Sequence, residues 1–224
     1  MNKDELIHIL RAAAAITNEK AFVVIGSQSI LATHPDAPRK IRESIEGDAY
    51  PKNAPEKADL IDGSIGENTI FHKTFGYYCH GVSPETATLP DGWDKRTILL
   101  PINEDGKISA QCLEKHDLVY SKLAAGREKD FDFIRELLKH RLVNRGKIKR
   151  LIEGTVSSQL REKLERNWTI SLNVFGKADA RGNNLATNQA SQRKLTVLHT
   201  PETFKKTQSS GQIRNQPKKP RTLG

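Results

Sequence analysis

Four charged residues in one helical segment are the first candidates for chemistry in this chain. Lys122, Arg127, Lys129 and Asp130 fall within nine positions of the stretch from His116 to Leu138. Three cations at this spacing suit a polyanion such as a nucleotide phosphate, because ammonium and guanidinium groups donate charge-assisted hydrogen bonds to phosphate oxygens. A solvated helix face with weak surface pairs is the alternative, and the segment alone leaves both explanations open.

A pair of acids, Glu46 and Asp48, forms a second candidate site in the stretch SIEGDAYP, residues 44–51. Residues two apart on an extended strand place their side chains on the same face of the sheet. Two neighbouring carboxylates repel each other unless a cation lies between them. Mg²⁺ (or Mn²⁺) fits, because it takes oxygen ligands and combines one or two carboxylates with substrate phosphates. A solvent-facing edge strand is the competing explanation for the pair in isolation.

Gly26 and Ser27 follow a short β-branched run, Phe22 to Ile25, and precede apolar residues at helical spacing. The pattern predicts a strand, a tight turn and a helix. A glycine at such a turn lets the backbone approach a ligand closely, and amides at a helix N-terminus attract phosphate oxygens. A Gly-Ser turn alone is weak evidence for a phosphate site, and it becomes stronger evidence beside the acid pair and the charged helical segment.

The elements that must position these residues follow from the periodicity of the chain. An amphipathic helix is predicted near residues 1–16, and the segment from His116 to about 166 is predicted to be helical with a break at Gly126. Strands are predicted at 21–25, 44–49, 75–82, 97–102 and 108–113, with a turn at Asp105-Gly106 and a polar helix near 55–66. The predicted fold class is therefore α/β (α+β), a small mixed sheet flanked by helices.

The charge is concentrated at the C-terminal end. Residues 171–224, here called the basic tail, contain 10 Lys and Arg against 2 Asp and Glu, whereas residues 1–170 contain 26 against 25. The basic tail has few apolar residues after Gly176, so the composition predicts disorder. Nonspecific attraction to nucleic acid and a solubilising terminus remain equally open as its role. The predicted division is 1–114, a sheet domain; 115–170, a helical region; and 171–224, the tail.

Cysteine usage and hydropathy exclude some classes of protein. Two cysteines, Cys79 and Cys112, provide no disulfide framework, so a reduced cytoplasmic setting is expected. Neighbouring histidines lack the CxxC spacing of a zinc site. Charged residues interrupt the apolar residues of the first helix, which predicts neither a signal peptide nor a membrane span, so no membrane partner is expected.

The order of the three motifs resembles the nucleotidyltransferase superfamily of the DNA polymerase β type. More closely, it resembles bacterial nucleotidyltransferase-like proteins related to the AbiEii toxin family. The phrases that carry the likeness are VVIGSQSIL, SIEGDAYP, ADLIDGSIGE, FGYYCHGVSPETATLPDGW and HDLVYSKLAAGREKDFDFIRELL, which together lie within residues 5–150. The resemblance implies a nucleotidyltransferase sheet whose site is completed by the helical region. It also implies transfer of a nucleotide from a nucleoside triphosphate to an RNA or protein acceptor, in a toxin-like or defence-associated role.

The family's residue roles carry over onto matching positions of this chain. The resemblance implies a metal site at Glu46 and Asp48, with Mg²⁺ (or Mn²⁺) as the cofactor. It implies catalytic roles for Asp48, Lys122 and Asp130, the last as the later aspartate of a Lys-Asp pair. The nucleotide-binding residues that it implies are Gly26, Ser27, Lys122, Arg127 and Lys129.

Three departures from the family pattern count against activity. The first acid is Glu46 rather than aspartate, and THPDAPRKIRES fills an unusually long gap between Gly26 and the acid pair as a loop or short helix. The third carboxylate of the family has no clear counterpart, with Glu85 and Glu114 candidates on position alone. A catalytically degenerate fold that binds nucleotide or nucleic acid is therefore the alternative function, and a partner subunit such as an antitoxin-like protein is a third.

Overall fold

A computed structural model describes residues 1–173 of the chain. The sheet has five strands: β1 (Ala21–Val24), β2 (Glu46–Pro51), β3 (Tyr78–Gly81), β4 (Ile98–Pro101) and β5 (Ser109–Cys112). The α-helices are α1 (Lys3–Thr17), α2 (Ala58–Ile65), α3 (Ile70–Phe75), α4 (Lys115–Ala125), α5 (Glu128–Lys139), α6 (Arg145–Glu153) and α7 (158–173). The first three residues of the basic tail are helical, and the prediction of disorder for the remainder concerns residues outside the described part.

The sheet is mixed, with strand order β3-β2-β1-β5-β4. β1 is antiparallel to β2 and parallel to β5, β2 is parallel to β3, and β4 and β5 form an antiparallel pair. The two longest-range pairings, β1 with β5 and β2 with β3, place strands side by side that are far apart in sequence. The predicted fold class, a small mixed sheet flanked by helices, is confirmed.

One face of the β2–β3 half of the sheet is covered by α1 and α2. α1 begins with a capping box, in which the Asn2 side chain accepts from the Glu5 amide at 2.9 Å and the Glu5 carboxylate accepts from the Asn2 amide at 2.7 Å. A Cβ atom at Gly47 would lie 2.5 Å from Ile9 Cδ1, and one at Gly81 would lie 1.9 Å from the Ala58 carbonyl oxygen. Both glycines thus allow a helix to pack tightly against this face of the sheet. Side chains alternate along a strand, so Glu46, Asp48 and His80, which are neighbours of the two glycines, point to the other face.

The helical region turns sharply at Gly126, where the break was predicted. Gly126 ends α4 with φ +72°, the left-handed conformation that favours glycine, and its amide donates to the Lys122 carbonyl at 2.8 Å. Asn167 of α7 donates from Nδ2 to the Leu123 carbonyl at 2.7 Å. A Cβ at Gly126 would lie 2.6 Å from that nitrogen, so the turn also seats α7 against the end of α4.

Two polar clusters fix the start of α4 against its surroundings. Asp117 is fully buried and accepts from Arg96 Nε and Nη2 at 2.9 and 2.8 Å. Glu114 caps the helix by accepting from the His116 amide and from His116 Nδ1, both at 2.7 Å. His116 Nε2 accepts from the Asn144 amide at 2.9 Å, which assigns a neutral ring with its proton on Nδ1. These bonds join the segment before β4, α4 and the beginning of α6.

Within residues 1–173, no helix is long and apolar enough to cross a membrane. Cys79 and Cys112 are both buried and free. Burial raises the pKa of Cys112 to about 12, so its thiol stays protonated near neutrality.

Candidate functional site

The two acids of β2 share one face of the sheet, as their spacing predicted, and a histidine of β3 joins them. β2 and β3 run parallel with Asp48 opposite His80 and Glu46 opposite Tyr78. His80 Nδ1 lies 3.1 Å from Glu46 Oε1 and 3.6 Å from Asp48 Oδ1. One potential ligand atom from each of the three lies within 4.8 Å of the other two, so a single ion could contact all three.

Asp48 lies directly against the backbone of Gly26. The Ile25 amide donates to the Asp48 carbonyl at 3.1 Å, and a Cβ atom at Gly26 would lie only 1.7 Å from Asp48 Oδ2. Gly26 has φ −86°, which any residue can adopt, so the glycine is required by this close approach and not by its backbone conformation. Burial, followed by the charge of Glu46, raises the pKa of Asp48, although His80 and two lysines oppose that shift. The pair therefore favours a bound cation.

A cationic wall faces the acids from α4 and α5. Lys122 is 9 % exposed, and its Nζ donates to Asp130 Oδ1 at 3.2 Å and lies 4.4 Å from the centroid of the Phe133 ring. Burial lowers the pKa of Lys122, and Asp130 acts against that shift. An ammonium group has three N–H donors. The bond to Asp130 uses one of them, so Lys122 keeps donors for a ligand in the cavity.

Asp130 holds two of the cations in place. It is fully buried and accepts from Arg127 Nε at 2.7 Å as well as from Lys122. Burial acts to raise the pKa of Asp130, but the hydrogen bonds from Arg127 and Lys122 outweigh it, so the pKa is lowered. The hydrogen bond to Asp130 likewise raises the pKa of Arg127. Asp130 is thus an ionised anchor behind the cations.

A cavity of about 740 Å³ is lined by both the acids and the cations. This volume is within the usual range for small-molecule sites. The sequence-predicted site residues that line it are Gly26, Ser27, Glu46, Asp48, Lys122, Arg127 and Lys129, whereas Asp130 lies behind the wall. Lys129 forms no salt bridge with any described residue, and Ile25, Leu118 and Phe133 add apolar surface. The arrangement can take a ligand that carries both a metal-bound anion and an apolar ring.

The long segment between the turn and the acid pair forms part of the same cavity. Lys40, Ile41, Glu43, Ser44 and Ile45 line it, and the segment is irregular where a loop or short helix was predicted. Ile41 is 1 % exposed, which anchors the segment in the core. Lys40 Nζ lies 3.8 Å from Oε1 of Glu136, a residue of α5 that also lines the cavity. Sequence reasoning missed this wall because irregular segments carry no period.

The helix predicted after the turn is short and of the 3-10 type. It begins at Ser27 and spans six residues, Ser27–Ala32. The Gly26 carbonyl accepts from the Ser29 amide at 3.0 Å and from Ser29 Oγ at 2.8 Å, which tightens the turn. A helix this short has a small macrodipole, so any contact with phosphate must come from individual groups of the turn.

Neither positional candidate for a third carboxylate stands with the acid pair in the described part of the chain. Glu114 caps α4 and binds His116, and Glu85 does not line the cavity. His80 occupies that place instead, and sequence reasoning missed it. Alternation along β3 places His80 on the face opposite the buried Cys79, but the pairing with Asp48 follows from the register of β2 with β3, which the sequence does not show.

A family model described as "Nucleotidyltransferase of unknown function (DUF6036)" matches residues 4–177. The match spans every strand of the sheet and both walls of the cavity. No curated protein and no solved structure matches the chain.

Proposed function

This chain belongs to the nucleotidyltransferase family whose model matches it, and on this premise we propose that it transfers a nucleotidyl group from a nucleoside triphosphate to an acceptor hydroxyl. The observation that supports the proposal is one cavity with Glu46 and Asp48 on one wall and Lys122, Arg127 and Lys129 on the other. A triphosphate needs both a metal at its reacting phosphate and cations at its leaving phosphates.

The donors on the acidic wall fit a divalent metal. Two carboxylates lie side by side, and burial together with the charge of Glu46 raises the pKa of Asp48. Mg²⁺ (or Mn²⁺) is the proposed cofactor, held by Glu46 and Asp48. When bound, such an ion would supply positive charge that offsets the negative charge developing as pyrophosphate leaves.

The remaining residues bind and orient the substrate. In the proposed reaction, the acceptor oxygen bonds to the α-phosphorus, the bond from phosphorus to the pyrophosphate oxygen breaks, and the acceptor proton is released. Lys122 donates to the leaving phosphates with the N–H groups that Asp130 does not use. Arg127 and Lys129 hold the outer phosphates, and the turn at Gly26 and Ser27 contacts the phosphates near the metal. Asp130, a predicted catalytic residue, acts through Lys122 and Arg127, which makes it a positioning residue.

The acceptor is proposed to be RNA or a protein, in a toxin-like or defence-associated role in the cytoplasm. The RNA acceptor draws support from the positive charge of the basic tail. The relation to the AbiEii toxin family and the defence role rest on the resemblance of the motifs.

A degenerate site that binds nucleotide without transferring it is the second candidate function. Two points favour it: the family pattern that the motifs resemble has aspartate where this chain has Glu46, and the described residues bring no third carboxylate to the acid pair. Such a protein would serve as a nucleotide- or nucleic-acid-binding module or as a partner subunit. The site would then bind the triphosphate through its cations and metal donors, but the bond between the α-phosphorus and pyrophosphate would stay intact.

The test is transfer of label from each α-³²P nucleoside triphosphate to total RNA or total protein, with Mg²⁺ or Mn²⁺. Asp48→Asn should reduce transfer by about 100-fold or more, because it removes a direct metal ligand, and Lys122→Met should also reduce it. Asp132→Asn is the matched control, since that carboxylate lines the cavity but is 65 % exposed and pairs with Arg135. Triphosphate binding without transfer would establish the degenerate site.

A further inference from the structure

We propose that the cation site of this chain selects a first-row transition ion such as Mn²⁺ over Mg²⁺, because His80 supplies a nitrogen donor beside Glu46 and Asp48. The inference rests on the proposed function for the location of the metal and goes beyond it in naming a third ligand and the class of ion. It concerns binding of the ion, which can be measured without any transfer reaction.

The spacing of the three donors suits one ion. Ligands at neighbouring octahedral positions about 2.1 Å from a metal lie about 3 Å apart. The separations of His80 Nδ1 from Glu46 Oε1 and Asp48 Oδ1, 3.1 and 3.6 Å, are close to that value. Parallel pairing of β2 with β3 fixes Asp48 opposite His80, so two rigid strands hold the donors.

The second nitrogen of the ring faces a carboxylate. His80 Nε2 lies 3.9 Å from Asp62 Oδ1, on α2. In metal sites a carboxylate near the outer nitrogen of a histidine favours the tautomer whose other nitrogen is free to bind the ion. Gly81 makes this possible, since a Cβ there would lie 3.0 Å from the Asp62 amide nitrogen and 1.9 Å from the Ala58 oxygen. The ring thus has Nδ1 near the acid pair and Nε2 on the side of Asp62.

The donor set decides the class of ion. Oxygen-only sites suit Mg²⁺, whereas imidazole nitrogen favours first-row transition ions, with affinity rising from Mn²⁺ to the later members of the series. Glu46 also reaches further than aspartate would, which suits an ion that tolerates departures from ideal octahedral geometry better than Mg²⁺ does. The opposing arrangement is a protonated His80 that neutralises the two acids and replaces the metal.

Pulsed electron paramagnetic resonance of the Mn²⁺-loaded full chain tests the proposal directly. The wild type should show modulation from an imidazole nitrogen bound to Mn²⁺. His80→Asp should abolish the nitrogen modulation while Mn²⁺ stays bound to three carboxylates, and the preference for Mn²⁺ over Mg²⁺ should fall by about tenfold or more. The control is His140→Asp, at the end of α5, which should change neither the nitrogen modulation nor the preference for Mn²⁺.

Three results would overturn the inference: bound Mn²⁺ without nitrogen modulation in the wild type, no bound Mn²⁺ at all, or equal or tighter Mn²⁺ binding in His80→Ala. The last would identify the ring as a counter-ion. His80 is 46 % exposed in its side chain, so its substitutions should fold, and thermal unfolding checks this. Nitrogen modulation without nucleotidyl transfer would refute only the proposed function, whereas transfer with Mg²⁺ and no nitrogen modulation would refute only this inference.

Discussion

At the scale of single residues, the site depends on where a side chain is missing as well as on where charges lie. The backbone of Gly26 touches the Asp48 carboxylate, and a Cβ would lie 1.7 Å from Oδ2, 2.6 Å from Cγ and 3.0 Å from Cβ of that side chain. The carboxylate end of Asp48 is the part that must move, because the backbone around it is fixed by β-pairing. A methyl group at position 26 therefore acts on the site more than on the fold.

We predict that Gly26→Ala lowers the affinity for Mn²⁺ by about tenfold or more, because the Asp48 carboxylate must move away from position 26 and out of its place beside Glu46 and His80. The free energy of unfolding should fall by only about 1–3 kcal/mol, the usual cost of a local overpacking. Mn²⁺ titration monitored by electron paramagnetic resonance and urea unfolding measure the two quantities.

The matched control for this substitution is Gly63→Ala, in α2, where a Cβ meets nothing within 4 Å. It should stabilise the protein by about 0.5–1 kcal/mol, since alanine favours a helix interior, and leave the Mn²⁺ affinity unchanged. Unchanged affinity in Gly26→Ala would show that Asp48 does not hold the ion in the position described.

At the scale of elements, α4 and α5 are joined across the Gly126 turn by a buried ion pair. Lys122 of α4 and Asp130 of α5 meet at 3.2 Å, and Arg127 adds a second cation at the start of α5. Removing one partner leaves a buried charge without compensation. The same contact that positions the phosphate-facing lysine thus also contributes to the folding of the helical region.

We predict that Asp130→Asn lowers the free energy of unfolding at neutral pH by about 2–4 kcal/mol. The pKa of Asp130 is lowered by folding, so its stabilisation is complete above the ordinary carboxylate pKa and is lost as pH falls through the folded value. The difference in unfolding free energy between wild type and variant should therefore shrink in acid, as urea unfolding at a series of pH values would measure. Asp132→Asn, with an exposed carboxylate, should show little difference at any pH; a pH-independent loss at Asp130 would contradict the charge argument.

Elements with a strong period could be predicted from the sequence, whereas contacts between distant elements could not. The β-branched run at 22–25 and the alternation around Glu46 and Asp48 each define a strand, and Gly126 marks the turn between two helices. His80 was not predicted as a site residue, because its position opposite Asp48 depends on the register of β2 with β3, which is a long-range property. The inward position of Asp130 likewise follows from packing across the turn, which helical spacing alone does not specify.

At the scale of the whole molecule, the charge of the chain is divided unequally between its two ends. Residues 178–224 contain 9 Lys and Arg against 2 Asp and Glu, and they lie beyond the region that the family model matches. The cavity carries cations and acids on opposite walls, so it offers no comparable surplus to a long polyanion. Any nonspecific attraction to nucleic acid should therefore come mainly from the basic tail.

We predict that truncation after Lys177 weakens binding to a single-stranded RNA and reduces the slope of log affinity against log salt. Each phosphate contact on a single strand releases about 0.7 counterions, so a protein that makes fewer contacts has a smaller slope. Fluorescence anisotropy at several salt concentrations measures both quantities. A full-length chain with Lys205, Lys206, Lys218 and Lys219 changed to Gln is the control for length, and its slope should fall between the other two, because four of the tail's cations are gone. Nucleoside triphosphate binding should stay the same in all three proteins, since the residues that line the cavity all precede the truncation. An unchanged slope together with reduced solubility of the truncated chain would instead assign the basic tail a solubilising role, because charge that does not contact phosphate still keeps molecules apart.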